Sequence, residues 1–427
     1  MKAVKFALIV TASAFLATGI ATTSFAFHSG GVAECTGCHS MHSPAPGSGA
    51  FLLQGNDDSS TCLNCHQHLG DTAPSSYHIS TAEANMPTGT APLQRTPGGD
   101  FGWLKKTYNW IGREGPASDN GYSHGHSIVA ADYAYAADPV NTTAPGGTFP
   151  GSQLACTSCH DQHGSARRMS DGTIALTGAP IIGSGSYNNS RVPAAGQAVG
   201  IYRLLRGNLS QAPNAPYQGY PMAVAPSTYN QTEATNQVRV AYGAPTAANT
   251  AEWGQWCAAC HPNMHTANAG QLVHPVDQQL GATFASNYGT YVSSGIMTGS
   301  ASSSYLSLVP FAEATGDFTT LASHARNNNS VLTGPATSDQ VMCLSCHRAH
   351  ASGWGEALRW NTENEFLTAV DNVSGAVHWP GTDVSGVNVN QAIGRTEAEA
   401  RAAYYDRAPT LFGAYQRQLC NKCHAKD

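Results

Sequence analysis

The sequence predicts a fold made mostly of coil and loops, with a few short helices and minimal strand. Two features of composition indicate it. Charged residues make up only 11% of the 427 residues, well below the usual share. In addition, 44 glycines and 23 prolines interrupt regular structure. A third feature is that all 12 cysteines belong to one short motif that occurs six times.

The repeated motif is Cys-x-x-Cys-His. Its six copies are Cys35, Cys38 and His39; Cys62, Cys65 and His66; Cys156, Cys159 and His160; Cys257, Cys260 and His261; Cys343, Cys346 and His347; and Cys420, Cys423 and His424. In such a motif the two thiols form thioethers with a haem, and the adjacent histidine becomes an axial ligand of the iron. The sequence therefore predicts six covalently attached haems (haem c), with these histidines as the proximal ligands.

Other chemistries use the Cys-x-x-Cys pair as well, namely zinc sites, thioredoxin-like redox pairs and disulfides. None of them requires a histidine directly after every pair. Histidine accounts for only 18 of the 427 residues, yet it follows all six pairs. The repetition therefore favours haem over the three alternatives.

The N-terminus has the pattern of a secretory signal peptide over residues 1–26. Lys2 and Lys5 precede an apolar run over residues 6–20, and small residues lead up to Ala26. A membrane anchor is the alternative, but the run contains hydroxyl residues and no second apolar stretch of spanning length follows. We therefore expect residues 27–427 to form a single exported hexahaem domain with no membrane span. Export fits covalent haem attachment, which takes place outside the cytoplasm.

The mature chain is short of residues for a large protein core. About 67 residues are available for each haem, a ratio at which the macrocycles themselves can form the core. The net charge is −6 for the whole chain and becomes more negative once the leader is removed. This charge argues against nucleic acid as a partner.

Regular structure is predicted in only a few segments. The clearest is a helix over 397–407, because Thr396 and Glu399 form a capping box and Pro409 ends the segment. The remaining predicted elements are a helix over 411–423 and strands over 199–206 and 238–242.

Twelve of the 18 histidines lie outside the motifs, so second axial ligands are in surplus. His42, His163 and His350 share the frame Cys-x-x-Cys-His-x-x-His. A histidine in this position points sideways from its own haem and is expected to bind a neighbouring one, which would bring haems close together. The alternative is a histidine that lies on the surface or bonds a propionate. Methionine as a sixth ligand also remains open for one or two haems.

The remaining histidines fall into three groups. His126, His274 and His324 lie between motifs and complete the first group of candidate distal ligands. A second group of candidates comprises His28, His68, His78 and His265. We expect His124 and His378 not to be ligands.

The motifs favour electron transfer over catalysis. A catalytic haem needs an open position on its iron, but every motif here ends in histidine and spare ligands are abundant. We therefore expect closed bis-histidine haems and no enzymatic activity. A multihaem reductase is the alternative.

Several segments also resemble a known family, and they include residues outside the motifs. The segments are FHSGGVAECTGCHSMH, CLNCHQHLGDTAPSSYHISTAEANMPTGTAPLQRTPGGDFGW, VAPSTYNQTEATNQVRVAYG, CLSCHRAHASGWG and YQRQLCNKCHAKD. They resemble the OmcS-like hexahaem outer-surface cytochromes of metal-reducing bacteria, which polymerise into conductive filaments (cytochrome nanowires). Loops around residues 112–125, 203–222 and 370–395 diverge from the family.

The resemblance implies a continuous stack of six haems and end-to-end polymerisation into a secreted, extracellular filament. It also implies that His42 ligates the fifth haem of the adjacent subunit, the haem held by Cys343, Cys346 and His347. The implied function is extracellular electron transfer, with redox partner cytochromes as partners and metal oxides or electrodes as acceptors. A monomeric periplasmic electron shuttle is the alternative.

Overall fold

A computed structural model describes residues 35–426 except 76, 165, 180–192, 208–218, 227–228, 245–251 and 266–272. The predicted signal peptide and the candidate ligand His28 lie outside the described residues. All six Cys-x-x-Cys-His motifs lie within them.

The α-helices are short, and the longest has ten residues. In chain order they are α1 Cys35–Cys38, α2 Asp58–His66, α3 Cys156–Cys159, α4 Trp253–Ala258, α5 Pro262–His265, α6 Gly281–Thr290, α7 Phe318–His324, α8 Val389–Ala392, α9 Glu397–Ala403 and α10 Asn421–His424. Single turns of 3-10 helix join many of the loops, and one of them, Cys343–Ser345, carries the fifth motif. No helix in the described part of the chain is long and apolar enough to cross a membrane.

The strands form four small sheets among the described residues. The strands are β1 Tyr108–Gly112, β2 Gly115–Asp119, β3 Arg167–Met169, β4 Ile174–Ala175, β5 Ala198–Gly200, β6 Ala223–Val224, β7 Ala241–Gly243, β8 Ala312–Glu313, β9 Ala369–Val370 and β10 Val377–His378. β1 pairs with β2 and β9 with β10 as antiparallel hairpins. β3 lies between β4 and β5, and β7 lies between β6 and β8, which it meets in parallel. The predicted loop-rich fold with little strand is confirmed.

Apolar side chains are buried in several separate clusters. The largest, here called the main core, comprises Trp103, Tyr108, Tyr288, Tyr305, Leu308, Val309, Phe311, Ala351, Trp354, Trp360, Leu367, Trp379, Ile393, Ala400, Ala403, Tyr404, Phe412 and Leu419. Trp379 is fully buried there and stacks on Tyr404 with ring centres 4.0 Å apart. Motif residues Cys346 and Cys423 pack against this cluster. The main core therefore supports the fifth and sixth motifs directly.

The helix predicted over 397–407 is present but shorter. Thr396 and Glu399 form the expected capping box, and the helix ends at Ala403. Tyr405 and Asp406 then adopt left-handed backbone conformations, with φ of 57° and 63°. Tertiary contacts explain this early end, since the Tyr405 hydroxyl donates to the carbonyl of Thr96.

The helix predicted over 411–423 is wrong for most of its length. Only Asn421–His424 is α-helical, and a turn of 3-10 helix covers Pro409–Leu411. Between them, the backbone of Gln416 pairs with Leu367 at 2.6 Å, and its buried amide donates to the Tyr291 hydroxyl at 2.7 Å. These contacts with distant residues keep the segment from forming a continuous helix.

The two predicted strands are found in part. The segment 199–206 enters β5 but continues into a 3-10 turn, where Arg203 has a φ of 49°. The segment 238–242 contributes only its last two residues to β7, Ala241–Gly243. Both strands are thus shorter than the apolar pattern suggested, because neighbouring strands pair with them over two or three residues only.

Candidate haem sites

Each Cys-x-x-Cys-His motif is folded into one tight turn. In five motifs the backbone N–H of the histidine donates to the carbonyl of the first cysteine at 2.8–3.1 Å. The second motif forms the last turn of α2. A helical turn holds both thiols and the imidazole within a few residues of one another. None of the 12 cysteines forms a disulfide.

Five of the six motif histidines have Nδ1 against a backbone carbonyl. The pairs are His39 with Phe51 at 2.7 Å, His66 with Tyr77 at 2.8 Å, His160 with Arg203 at 2.7 Å, His261 with Pro145 at 2.8 Å and His347 with Glu356 at 2.7 Å. A carbonyl can only accept, so Nδ1 carries the proton and Nε2 keeps its lone pair. Histidines that ligate metals are oriented in this way. Sequence reasoning missed these carbonyl contacts, since any residue type can supply a carbonyl.

Four motif histidines face a second histidine ring. The pairs are His39 with His163 at 6.4 Å, His160 with His350 at 6.3 Å, His261 with His126 at 6.0 Å and His424 with His274 at 6.1 Å between ring centres. A metal held between two imidazole nitrogens, each about 2 Å away, sets ring centres about 6 Å apart. All four second histidines were first-group candidates in the sequence. The separation therefore suits an axial ligand pair with one iron between the rings.

Two of the three histidines that end the frame Cys-x-x-Cys-His-x-x-His face the histidine of a different motif. His163 follows the third motif but faces the first, and His350 follows the fifth motif but faces the third. Each ring therefore points at a motif two places earlier in the chain. Links of this kind tie together parts of the chain that are far apart in sequence.

Burial keeps two of these second histidines neutral. It lowers the pKa of His126 to about 4 and that of His350 to about 3, and neighbouring histidines lower both further. The Nδ1 atom of His126 also lies 2.7 Å from the carbonyl of Ala349. A neutral imidazole with an occupied Nδ1 presents Nε2, which is the form that binds metals.

Successive motifs act on one another electrostatically in the order of the chain. The thiols of Cys62 and Cys156 lie close enough to shift each other's pKa in opposite directions, as do those of Cys257 and Cys343. These effects link the second motif to the third and the fourth to the fifth.

The other three pairs of successive motifs are linked by electrostatic effects between their thiols. Burial, and next the Cys260 thiol, raise the pKa of the Cys159 thiol to about 12. Burial, and next the thiols of Cys420 and Cys423, raise the pKa of the Cys346 thiol to about 12. Burial and then Cys65 also raise the pKa of the Cys38 thiol. The six motifs therefore form one uninterrupted series through the molecule.

The first and fifth motifs each present an exposed histidine. His42, after the first motif, is exposed, as is Met41 with 82% of its surface accessible. His347 of the fifth motif is also exposed, and no histidine ring among the described residues lies against it. The chain thus presents two exposed histidines, one beside a motif and one within a motif.

The remaining candidate histidines bond to carboxylates or to one another. His324 contacts Glu313 at 2.6 Å, His78 contacts Asp71 at 2.6 Å, His265 contacts Asp277 at 3.1 Å, and His68 stacks on His78 at 5.9 Å. The structure does not bring His324 opposite a motif histidine in the described residues, although it was a first-group candidate.

The two histidines expected not to be ligands are engaged elsewhere. His124 is fully buried, with Nδ1 3.0 Å from the Ser352 carbonyl and Nε2 2.9 Å from Asp119. Both of its ring nitrogens are therefore occupied. His378 lies 3.2 Å from Glu397.

The site residues fit covalently bound haem. The described residues contain no group of three or more His, Cys, Asp or Glu side chains that could hold a metal ion unaided. Paired imidazoles beside paired thiols instead suit a macrocycle that supplies the equatorial ligands itself. A loop-rich chain with this repeated arrangement is a multihaem c-type cytochrome.

Comparison with known proteins identifies the family. The chain is 52% identical to the C-type cytochrome OmcS of Geobacter sulfurreducens over 446 aligned positions, covering all of both proteins. Two solved structures, cryo-EM of the OmcS nanowires and an Outer Membrane Cytochrome S filament, both from Geobacter sulfurreducens, match with a TM-score of 0.83. Each match covers 94% of this chain and 100% of the other. No protein-family model matches the chain. The chain belongs to the OmcS family of c-type cytochromes.

Proposed function

We propose that this protein carries electrons along a series of six haems. The observation that carries the proposal is that the thiols of each motif act electrostatically on those of the next, from the first motif to the sixth. Haem would supply a reversible one-electron iron centre at each motif. The chain's own part is to space and orient those centres, and the proximity of thiols from successive motifs would hold neighbouring centres close together. Electron transfer requires such proximity.

We infer that four irons take both axial ligands from one chain. The ligand pairs would be His39 with His163, His160 with His350, His261 with His126 and His424 with His274. Support comes from their ring separations of 6.0–6.4 Å. With both axial positions filled, an iron has no position for substrate. This favours an electron carrier without enzymatic activity over a reductase.

We further propose that the protein polymerises end to end, with His42 ligating the haem of the fifth motif in the adjacent subunit. The exposure of both His42 and His347 supports this assignment. The relatives support the polymer, because the solved OmcS structures are filaments. A shared coordination bond would make haem ligation and subunit contact one event. The monomeric periplasmic shuttle is the second candidate, but it would leave His347 without a histidine opposite.

The proposed location follows from the same family. We infer that residues 1–26 are removed as a signal peptide and that residues 27–427 act as one hexahaem domain outside the cell. Redox partner cytochromes would deliver electrons, and extracellular acceptors such as metal oxides or electrodes would receive them. A conductor that ends in the medium does not need a pocket for one specific acceptor.

The test uses the secreted full-length protein. Haem content per chain, measured by pyridine haemochrome absorbance against protein mass, should be six. The spectrum should be low-spin and should not change on addition of cyanide or carbon monoxide, whereas an open reductase haem would bind them. Negative-stain imaging should show filaments. Single particles of one subunit, under the conditions that keep all six haems low-spin, would refute polymerisation.

A further inference from the structure

The sixth motif differs from the other five in its spacer residues. The six spacers are Thr36-Gly37, Leu63-Asn64, Thr157-Ser158, Ala258-Ala259, Leu344-Ser345 and Asn421-Lys422. Only the last contains a charged residue. Lys422 is also buried, with 4% of its surface exposed, which is rare for a lysine. A buried lysine therefore lies between the two attachment cysteines of the sixth motif.

The environment of Lys422 offers partial negative charges but no full counter-charge, and burial lowers the pKa of its ammonium group to about 8. Its Nζ donates to the carbonyl of Tyr291 at 2.8 Å and lies 4.6 Å from the centre of the Tyr288 ring. Carbonyl oxygens and aromatic faces attract cations without carrying a full negative charge. No carboxylate in the described part of the chain forms an ion pair with Lys422, although other buried lysines and arginines have one. Its charge thus acts on the surroundings of Cys423 with little compensation.

An opposite charge lies at the junction of the fourth and fifth motifs. Asp277 has a side chain that is 2% exposed, and its carboxylate accepts the backbone N–H groups of Gly254 and Gln255 at 2.8 and 2.9 Å. These N–H groups begin α4, which carries the fourth motif. The carboxylate acts electrostatically on the neighbouring thiols of Cys257 in the fourth motif and Cys343 in the fifth. His265 contacts the same carboxylate through Nε2.

Buried charges act strongly on a redox centre because the protein screens them poorly. Reduction adds one electron to the iron and therefore makes the site more negative by one charge. A nearby cation favours the reduced state, and a nearby anion favours the oxidised state. Lys422 and Asp277 act in opposite directions on sites that belong to the same series.

We propose that Lys422 and Asp277 tune the series, so that the haem of the sixth motif has a higher reduction potential than the haem of the fourth. This inference rests on the proposed function, since it assumes that both motifs hold haem. It assigns these two side chains a role in setting potentials in addition to their role in packing. Electrons would then reside preferentially at the sixth site of each subunit.

The test compares redox titrations of the parent protein and of Lys422→Met, which keeps the length of the side chain but removes its charge. The absorbance change of one haem, about one sixth of the total, should move to lower potential. Lys422→Arg should keep the parent curve because it keeps the charge. Arg113→Met removes an exposed cation at the tip of the β1–β2 hairpin, and solvent screening should leave its curve unchanged.

A second variant tests the opposite direction and guards against misfolding of the first. Asp277→Asn retains an oxygen that can accept the α4 N–H groups, and the share of the haems of the fourth and fifth motifs, about one third of the total, should move to higher potential. Glu114→Gln, at the exposed tip of the β1–β2 hairpin, is the matched control. Haem content is measured in every variant. Fewer than six haems in the parent would refute the proposed function, whereas intact haem content with unshifted curves in both variants would overturn only this inference.

Discussion

The regions around the first and the last motif differ in how the protein supports them. No residue between 35 and 56 belongs to a buried apolar cluster of the described chain, and α1 has no buried residue. Phe51 in this region is 72% exposed. In contrast, Leu419 and Lys422 are buried beside the sixth motif, and Asn287 of α6 donates to the carbonyl of Cys423 at 2.8 Å.

This difference indicates two ways of completing a haem site. The last motif is packed into the main core by its own chain, so its geometry is set when the subunit folds. The first motif presents His42 and its apolar neighbours outward, so its surface is available to a second molecule. In the proposed filament, the outward His42 would complete the haem of the fifth motif in the adjacent subunit. Four predictions test this comparison.

The largest effect is expected for His42→Ala. Without this imidazole the haem of the fifth motif should become five-coordinate or misligated, and filament assembly should be lost because ligation and contact are one event. Negative-stain imaging and the high-spin absorbance band measure the two effects. His378→Ala, which removes a histidine that is not a proposed ligand, should assemble normally. Normal filaments with low-spin haems in His42→Ala would show that the assignment across subunits is wrong.

The next effect concerns the main core. Trp379→Ala should lower the free energy of unfolding by about 3–5 kcal/mol, because it removes a fully buried indole that stacks on Tyr404. Phe51→Ala in the first-motif region is the matched change at an exposed aromatic and should cost less than about 1 kcal/mol. Chemical denaturation followed by Soret circular dichroism measures both. Equal losses would contradict the contrast between the two regions.

A smaller effect depends on pH and on the ion pair between Asp119 and Arg395. Burial alone would raise the pKa of Asp119, but His124 and Arg395 outweigh it and lower the pKa to about 2. Since the folded-state pKa lies below the unfolded value, the stabilisation is present above about pH 4 and is lost as the pH falls towards 2. It amounts to about 2 kcal/mol.

The measurement compares the parent with Asp119→Asn at pH 7 and pH 3. The parent should lose more stability between the two pH values than the variant does, by about 1 kcal/mol, because part of the stabilisation is still present at pH 3. Glu114→Gln, at the exposed tip of the β1–β2 hairpin, serves as the control. An identical loss in the parent and in Asp119→Asn would show that this ion pair contributes nothing to stability.

The smallest effect is expected at the N-terminus of α9. Thr396→Ala removes the side chain that caps the helix through the Glu399 N–H, so unfolding should become easier by about 1 kcal/mol. Thr396→Ser keeps the hydroxyl and should restore most of the loss. Denaturant titration of the two variants measures the difference. A Ser variant as unstable as the Ala variant would attribute the effect to the lost methyl group instead.

Local patterns in the sequence were sufficient for some features and failed for others. The capping box at Thr396 is local, and the helix that it begins is present. The segment 411–423 was also predicted to be helical, yet its middle is not helical because Gln416 bonds to Tyr291 and Leu367. Its conformation depends on residues more than 40 positions away, which no short window of sequence contains.

The candidate haem sites show the same division. The six motifs and the surplus of histidines could be read directly, because covalent attachment demands fixed spacing between two cysteines and a histidine. Which histidine faces which motif could not be read, since His163 meets His39 and His126 meets His261 only after the chain has folded back on itself. The backbone carbonyls that orient the motif histidines could not be predicted from the sequence either.

The sequence by itself thus determined the type of cofactor, the number of attachment motifs and a loop-rich fold, because these follow from local chemistry and composition. Only the tertiary structure decided the pairing of the histidines, the unbroken order of the motifs and the burial of Lys422 and Asp277. Such features arise from contacts between distant segments, and their energies depend on burial and distance, which exist only in the folded molecule.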